Sequence, residues 1–242
     1  MSVLTDPIRL VSILDGCNAG LHEDAVYIFR KQLEESDIIV INKIDLLSAA
    51  QLEDLAEKTK RAYPESKVMA VSAMTGEGID AWLNEVIRRN DSGKRIVEVD
   101  YDVYAHGEAA LGWLNGTVAL AGKTIDWDSF MTSFMSDLCA RLEKEALPVG
   151  HVKALLEHQG NTIVVNFTGG KDTMTVRGAA GIGDKCRLII NARVETTPEN
   201  LDAIVRDTLH THTAAFTCTK VAWKYLQPGR PNPTYRFDKV FV

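Results

Sequence analysis

The chain has 242 residues, 45% of them hydrophobic and 25% charged, with a formal net charge of −6. That length suits one large globular domain or two modest ones. The negative balance argues against a general nucleic-acid or anionic-membrane surface, since either needs clustered Lys and Arg.

The four cysteines, Cys17, Cys139, Cys186 and Cys218, lie far apart and form no CxxC pair. No run approaches the roughly 18 apolar residues of a membrane helix, and the N-terminus has no basic, apolar leader. A cytoplasmic protein with reduced thiols and no membrane contact is expected.

In chain order, Ser2-Val3-Leu4 is an apolar run too short to assign alone, and it ends at Asp6-Pro7. A helix is predicted from about His22 to Glu35. Ile38–Ile41 then reads as a strand buried on both faces, ended by Asn42. Ser48 and Gln51 have capping-box spacing, and Leu52, Leu55, Thr59 and Ala62 continue that helix until Pro64 stops it. Lys67–Val71 is the next strand. Ile79, Trp82, Leu83, Val86 and Ile87 form an apolar helical stripe.

Strand and helix alternating at this spacing imply right-handed crossovers and a parallel sheet. A turn is predicted at residues 90–93. Val97, Val99, Tyr101 and Val103 alternate with acidic residues, which predicts a strand with one wet face.

The character then changes. A strand near Leu111–Leu120 precedes a helix from about Asp126 to Lys144. Short strands are predicted at His151–Leu156, Thr162–Phe167, residues 173–177 and Arg187–Val194. Thr197-Pro198-Glu199 starts a last helix, with Thr as N-cap and Pro at the first helical position. This half reads as an α+β domain with helices on one side of an antiparallel sheet. The Pro-containing stretch 227–236 is expected to be extended.

Two segments carry chemistry. Asn42-Lys43-Ile44-Asp45 directly follows the buried strand, at the end where open parallel sheets bind ligands. Its Asp can accept hydrogen bonds from the N1–H and exocyclic amine of guanine, its Asn can bond the O6/N7 edge, and the Lys stem can lie along the base. Ser72-Ala73-Met74-Thr75-Gly76 follows the next strand. There the Ala73 N–H is expected to meet guanine O6 while Ser72 orders the loop around Asp45. Two such motifs in this order, each after a strand, point to the base-binding side of a GTPase.

A phosphate loop of the form GxxxxGK[ST] does not occur in this chain. Gly116–Thr124 comes nearest, but it has five residues between its glycines, bulky or apolar ones, and is read as a strand end and turn. Gly178–Gly183 does not open a helix and is expected to be a hairpin loop. His210 and His212, with Cys218 beyond, could ligate zinc or cobalt, although an HxH pair at a helix end shares no face.

Together these residues resemble the CobW-like GTPases, relatives of the urease and hydrogenase nickel-insertion GTPases. The likeness is sharpest over Arg30–Leu46, Ser72–Gly76 and Gly107–Asn115, with further similarity at Lys185–Leu209 and Ser2–Asp6. It implies an α/β fold: part of a P-loop-type parallel sheet with helices, followed by a smaller α+β domain. The corresponding divisions are 1–104, 105–212 and a Pro-containing tail, 213–242. On that alignment the first strand, phosphate loop, switches and CxCC metal motif would lie before Met1.

The resemblance implies GTP as ligand, with Asn42, Lys43, Asp45, Ser72 and Ala73 as base contacts and no catalytic residue carried over. For the complete protein it implies Mg²⁺ and a transition metal such as zinc or cobalt, delivered to a client enzyme or cofactor pathway. Inactivity of this chain alone and self-association through uncovered apolar surface follow as expectations. The alternative is a non-hydrolysing interaction module that acts through its C-terminal domain.

Overall fold

The computed structural model describes residues 1–90, 95–169 and 174–229. Its chain contacts divide into two units, the first running from Met1 to Gly107 and the second beginning at Glu108. The turn predicted at residues 90–93 and most of the Pro-containing stretch lie outside the described residues.

In the first unit, four successive apolar residues form strand β2 (Ile38–Ile41), and all four are buried. Such a strand needs a partner on each edge and cover on each face. It has them: β1 (Ser2–Thr5) and β3 (Lys67–Ala70) pair with it in parallel, giving the order β1-β2-β3.

Leu10 of α1 (Pro7–Leu14), Leu33 of α2 (Glu23–Glu35) and Leu55 of α3 (Ala49–Ala62) pack with Ile39 and Ile41. Ile79 and Trp82 of α4 (Ile79–Arg88) pack with Ile38 and Val40 on the other face. The capping box of α3 forms as predicted: Gln51 N–H donates to Ser48 Oγ, and Ser48 N–H donates to the Gln51 side chain. Reciprocal capping of this kind satisfies two otherwise orphaned backbone donors.

Three local readings change. The segment after Asp6, which the sequence pattern does not assign, is α1. Asp6 Oδ1 accepts the N–H groups of Ile8 and Arg9 at 3.0 and 3.3 Å, and Pro7 occupies the first turn, where its missing N–H costs nothing.

The apolar stripe of α4 is only half used, because Leu83, Val86 and Ile87 stay 45%, 43% and 78% exposed. The strand predicted over Val97–Val103 is instead irregular chain leading into α5 (Tyr101–Ala109). Asp100 Oδ1 accepts the N–H of Asp102 and of Val103, as an N-cap does. The Asp100 N–H donates to Tyr27 Oη at 2.8 Å. A contact to α2 thus overrides the alternating pattern.

The second unit is a six-stranded antiparallel sheet covered on one face by two helices. Its strands are β4 (Gly112–Asp126), β5 (Val149–His158), β6 (Asn161–Phe167), β7 (Thr175–Gly178), β8 (Ile182–Val194) and β9 (Thr217–Leu226). They lie in the order β7-β6-β5-β8-β4-β9. Helices α6 (Trp127–Lys144) and α7 (Pro198–His212) supply Phe134, Met135, Leu138, Leu201 and Val205 to the core. Those side chains meet Leu114, Leu156, Leu188 and Ile190 from the sheet.

Gly178–Gly183 is not a hairpin loop. β7 pairs with β6, whereas β8 pairs with β4 and β5, so this segment crosses to a non-adjacent strand. The Ala180 and Gly181 N–H groups dock on the Asp128 carboxylate at 2.6 and 3.1 Å.

The region read as a tail, 213–242, begins with a strand instead, since β9 pairs antiparallel with β4. Gly116–Thr124 lies within β4. A Cβ at Gly116 would sit 2.5 Å from the Trp223 ring, so that glycine makes room for a packed indole.

Candidate functional site

The C-terminal ends of β2 and β3 carry the two loops singled out from sequence. Lys43 sits in left-handed backbone geometry, at φ 60° and ψ 37°, which costs a non-glycine residue about 1 kcal/mol or more. The surroundings hold it there. Lys43 N–H donates to Asn42 Oδ1 at 2.8 Å, and Ile44 N–H donates to the Val71 carbonyl at 3.3 Å. One turn of 3₁₀ helix, Ile44–Leu46, then presents Asp45 at the surface.

The second loop closes on the first. Ser72 is fully buried. Its hydroxyl donates to Asp45 Oδ1 at 2.5 Å and accepts the Thr75 N–H at 3.1 Å. Ala73 N–H donates to Asn42 Oδ1 at 3.0 Å. Ser72 N–H bonds the Glu77 carbonyl, and Gly76 N–H bonds the Ser72 carbonyl.

Gly78 then brings the loop back against β3. Its φ is +74°, and a Cβ there would run into the Ala70 carbonyl oxygen, so only glycine fits.

All five predicted residues therefore meet in one place, and two direct side-chain links join the loops across 27 and 31 residues of sequence. The Ala73 N–H, the group expected to meet guanine O6, is the donor of the second link, to Asn42. The Lys43 ammonium donates to Asp6 Oδ2 at 2.7 Å.

Asp6 was not among the predicted site residues. Its position directly after an apolar strand and before Pro7 was the available signal. It caps α1 and anchors Lys43 together. Burial pushes its carboxyl up, but the Lys43 hydrogen bond and charge and the Arg9 and Ile8 N–H groups outweigh that, so its pKa lies below the usual carboxylate value. Met74, between Ala73 and Thr75 in the second loop, is 57% exposed.

Chemically, the arrangement offers a carboxylate with Oδ2 open, steadied by a buried hydroxyl, and the Asn42 NH₂ as a donor. The carboxylate can accept from a planar ring bearing adjacent N–H and NH₂ groups, and the Asn42 amide can donate to an acceptor on the same ring. The other predicted candidates are not assembled in this way. His212 pairs with Asp137 at 3.3 Å and lies edge-on to Phe134, while His210 is exposed. Among the described residues no group of three His, Cys, Asp or Glu side chains is placed to hold a metal ion. No described helix is long and apolar enough to cross a membrane.

The first unit is thus a parallel sheet with these two joined loops at its strand ends. The CobW/HypB/UreG nucleotide-binding domain model matches residues 6–70, and over that stretch the chain is similar to that family. GTPase Era of Bradyrhizobium diazoefficiens is 33% identical over 73 residues, covering 29% of this chain and 24% of that protein. The Era of Afipia carboxidovorans is 34% identical over the same shares.

The chain thus spans about a quarter of the length of the curated relatives it matches. Among solved structures, Zn(II)-bound YjiA GTPase from E. coli covers 86% of this chain and 60% of its own length, at 12% identity and a TM-score of 0.26. A Zn(II)-bound triple mutant of YjiA gives 13% identity, 85% and 60% coverage, and a TM-score of 0.25.

Proposed function

We propose that this chain is the guanine-reading portion of a CobW-like GTPase that handles a transition metal. The observation that carries the base-reading part is the Asp45–Ser72 link, which holds a carboxylate at the strand ends in front of open solvent. Asp45 accepts from guanine N1–H and the exocyclic amine. Asn42 donates to the O6/N7 edge. Ala73 N–H exchanges its bond to Asn42 for one to O6, and Lys43, anchored by Asp6, flanks the base. Adenine presents no N1–H or 2-amine and leaves Asp45 unsatisfied, which is the basis of selectivity.

Metal handling rests on family resemblance alone. In the complete protein Mg²⁺ would neutralise phosphate charge, and a zinc or cobalt ion would be cargo for a client protein or cofactor pathway. No residue of this chain is assigned to either ion, and none is assigned a role in phosphoryl transfer.

Saturation-transfer NMR on the pure chain tests the base reading. Guanosine should give a signal that GDP competes away, and adenosine should give none. Equal signals from both nucleosides would refute it. Measurable GTP turnover by the chain alone would refute the assignment of no catalytic residue.

A further inference from the structure

We propose that the helix-free face of the six-stranded sheet docks an acidic, amphipathic segment of a partner protein. α6 and α7 cover one face only. Strand register fixes what the other face presents. Its central row runs Thr117, Ile189, Leu155 and Val164 across β4, β8, β5 and β6. These four are half-buried, with no helix of the unit above them.

Both flanking rows carry cations. Lys224 and Lys153 lie on one side, in register with Asn115, Asn191 and Asn166. Arg187 lies on the other, and Arg177 ends the central row on β7. All four cations are exposed. The only carboxylate in these registered positions, among the described residues, is Glu157 opposite Arg187. The two helices carry Asp128, Asp137, Glu143, Glu199, Asp202 and Asp207 against Arg141, Lys144 and Arg206. A chain of net charge −6 therefore concentrates positive charge on one side of one sheet.

The chemistry of the central row selects the partner. Ile189, Leu155 and Val164 on three strands at about 4.8 Å spacing make an aliphatic stripe about 10 Å long, which the Thr117 methyl extends to about 14 Å. Apolar residues at i, i+4 and i+8 of a helix span about 12 Å, so such a segment seats its anchors along the stripe. Carboxylates on its flanks then meet Lys153 and Lys224 on one side and Arg187 on the other.

Single-stranded nucleic acid fits less well, because base binding relies on stacking platforms. The aliphatic stripe has none, and the rings beside it are committed elsewhere. The Arg193 guanidinium covers Trp113 at 3.9 Å, and His151 Nε2 bonds the Asn191 side chain at 2.8 Å.

The test is selection of random 16-residue displayed peptides on the immobilised full chain. Winners are then remeasured by fluorescence polarisation, with an oligo-uridine probe alongside. Enrichment of Asp and Glu flanking apolar residues at helical spacing is expected. The double charge reversal K153E/R187E should weaken those peptides at least about tenfold, as should rising salt, with circular dichroism and thermal midpoint unchanged. The milder pair Lys153→Gln and Lys224→Gln should give a smaller loss in the same direction.

Enrichment of neutral or basic peptides would overturn the proposal. So would winners indifferent to both variant pairs, or oligo-uridine binding more tightly than any winner and lost in the same variants.

Discussion

Replacing Asp45 by Asn tests the site at its centre, and the structure dictates which way the new amide turns. The Ser72 hydroxyl donates to Asp45 Oδ1 from a fully buried position. The substituted amide therefore keeps its oxygen there and presents its NH₂ where Oδ2 was. Guanine's exocyclic amine then faces a donor, while the 2-oxo group of xanthine finds one. The exchange removes one charge-assisted hydrogen bond and leaves one donor pair opposed, a difference of about 2–3 kcal/mol. That corresponds to a shift of roughly 30- to 150-fold in guanine-over-xanthine preference. Competition between guanosine and xanthosine, followed by saturation-transfer NMR, reads the ratio directly and tolerates weak binding. An unchanged ratio would mean that Asn42–Asp45 is only a strand-end turn, and the functional reading would fall with it.

Other outcomes follow from the same geometry. Gly78→Ala places a Cβ against the Ala70 carbonyl at positive φ; it should destabilise the first unit by about 1–3 kcal/mol in urea unfolding, whereas Gly160→Ala, with nothing within 4 Å, should cost less. Because the Asp6 carboxyl is held below its unfolded value of 3.8, its contribution is present above that pH and lost as pH falls through the lower folded value. Lys43→Met should shrink that loss in acid unfolding curves, and curves that superimpose would refute the pairing. Burial pushes the Cys139 and Cys186 thiols up to about 12, so at pH 8 a disulfide reagent should modify exposed Cys17 first, with Cys218, whose pKa is also raised by burial, following more slowly. Rapid modification of all four in the native protein would contradict the burial. Finally, exposed Leu83, Val86 and Ile87 on α4 should drive concentration-dependent association in light scattering, reduced by Ile87→Glu; a monodisperse wild type at high concentration would count against it.

Much of this protein is written locally. A strand buried on both faces, a capping box at Ser48 and a Thr-Pro helix start at residue 197 each depend on neighbours a few positions apart, and each forms where the pattern places it. The two site loops were legible for the same reason: a strand followed by a distinctive polar string places side chains at a strand end, whatever the rest of the chain does.

What the string could not show was contact. Ser72 ordering the loop around Asp45 was legible from the motif, but that Asn42 claims the Ala73 N–H and that Asp6 holds Lys43 are decided by which strands lie side by side. Tyr101–Ala109 alternates like a strand up to Val103, yet it is a helix because Asp100 caps it and Tyr27 fixes its entry. The basic sheet face escaped composition altogether. Alternate residues of a strand project to opposite sides, and the six strands are shuffled in space. Cations scattered between Lys153 and Lys224 thus gather on one surface only once β7, β6, β5, β8, β4 and β9 are in register.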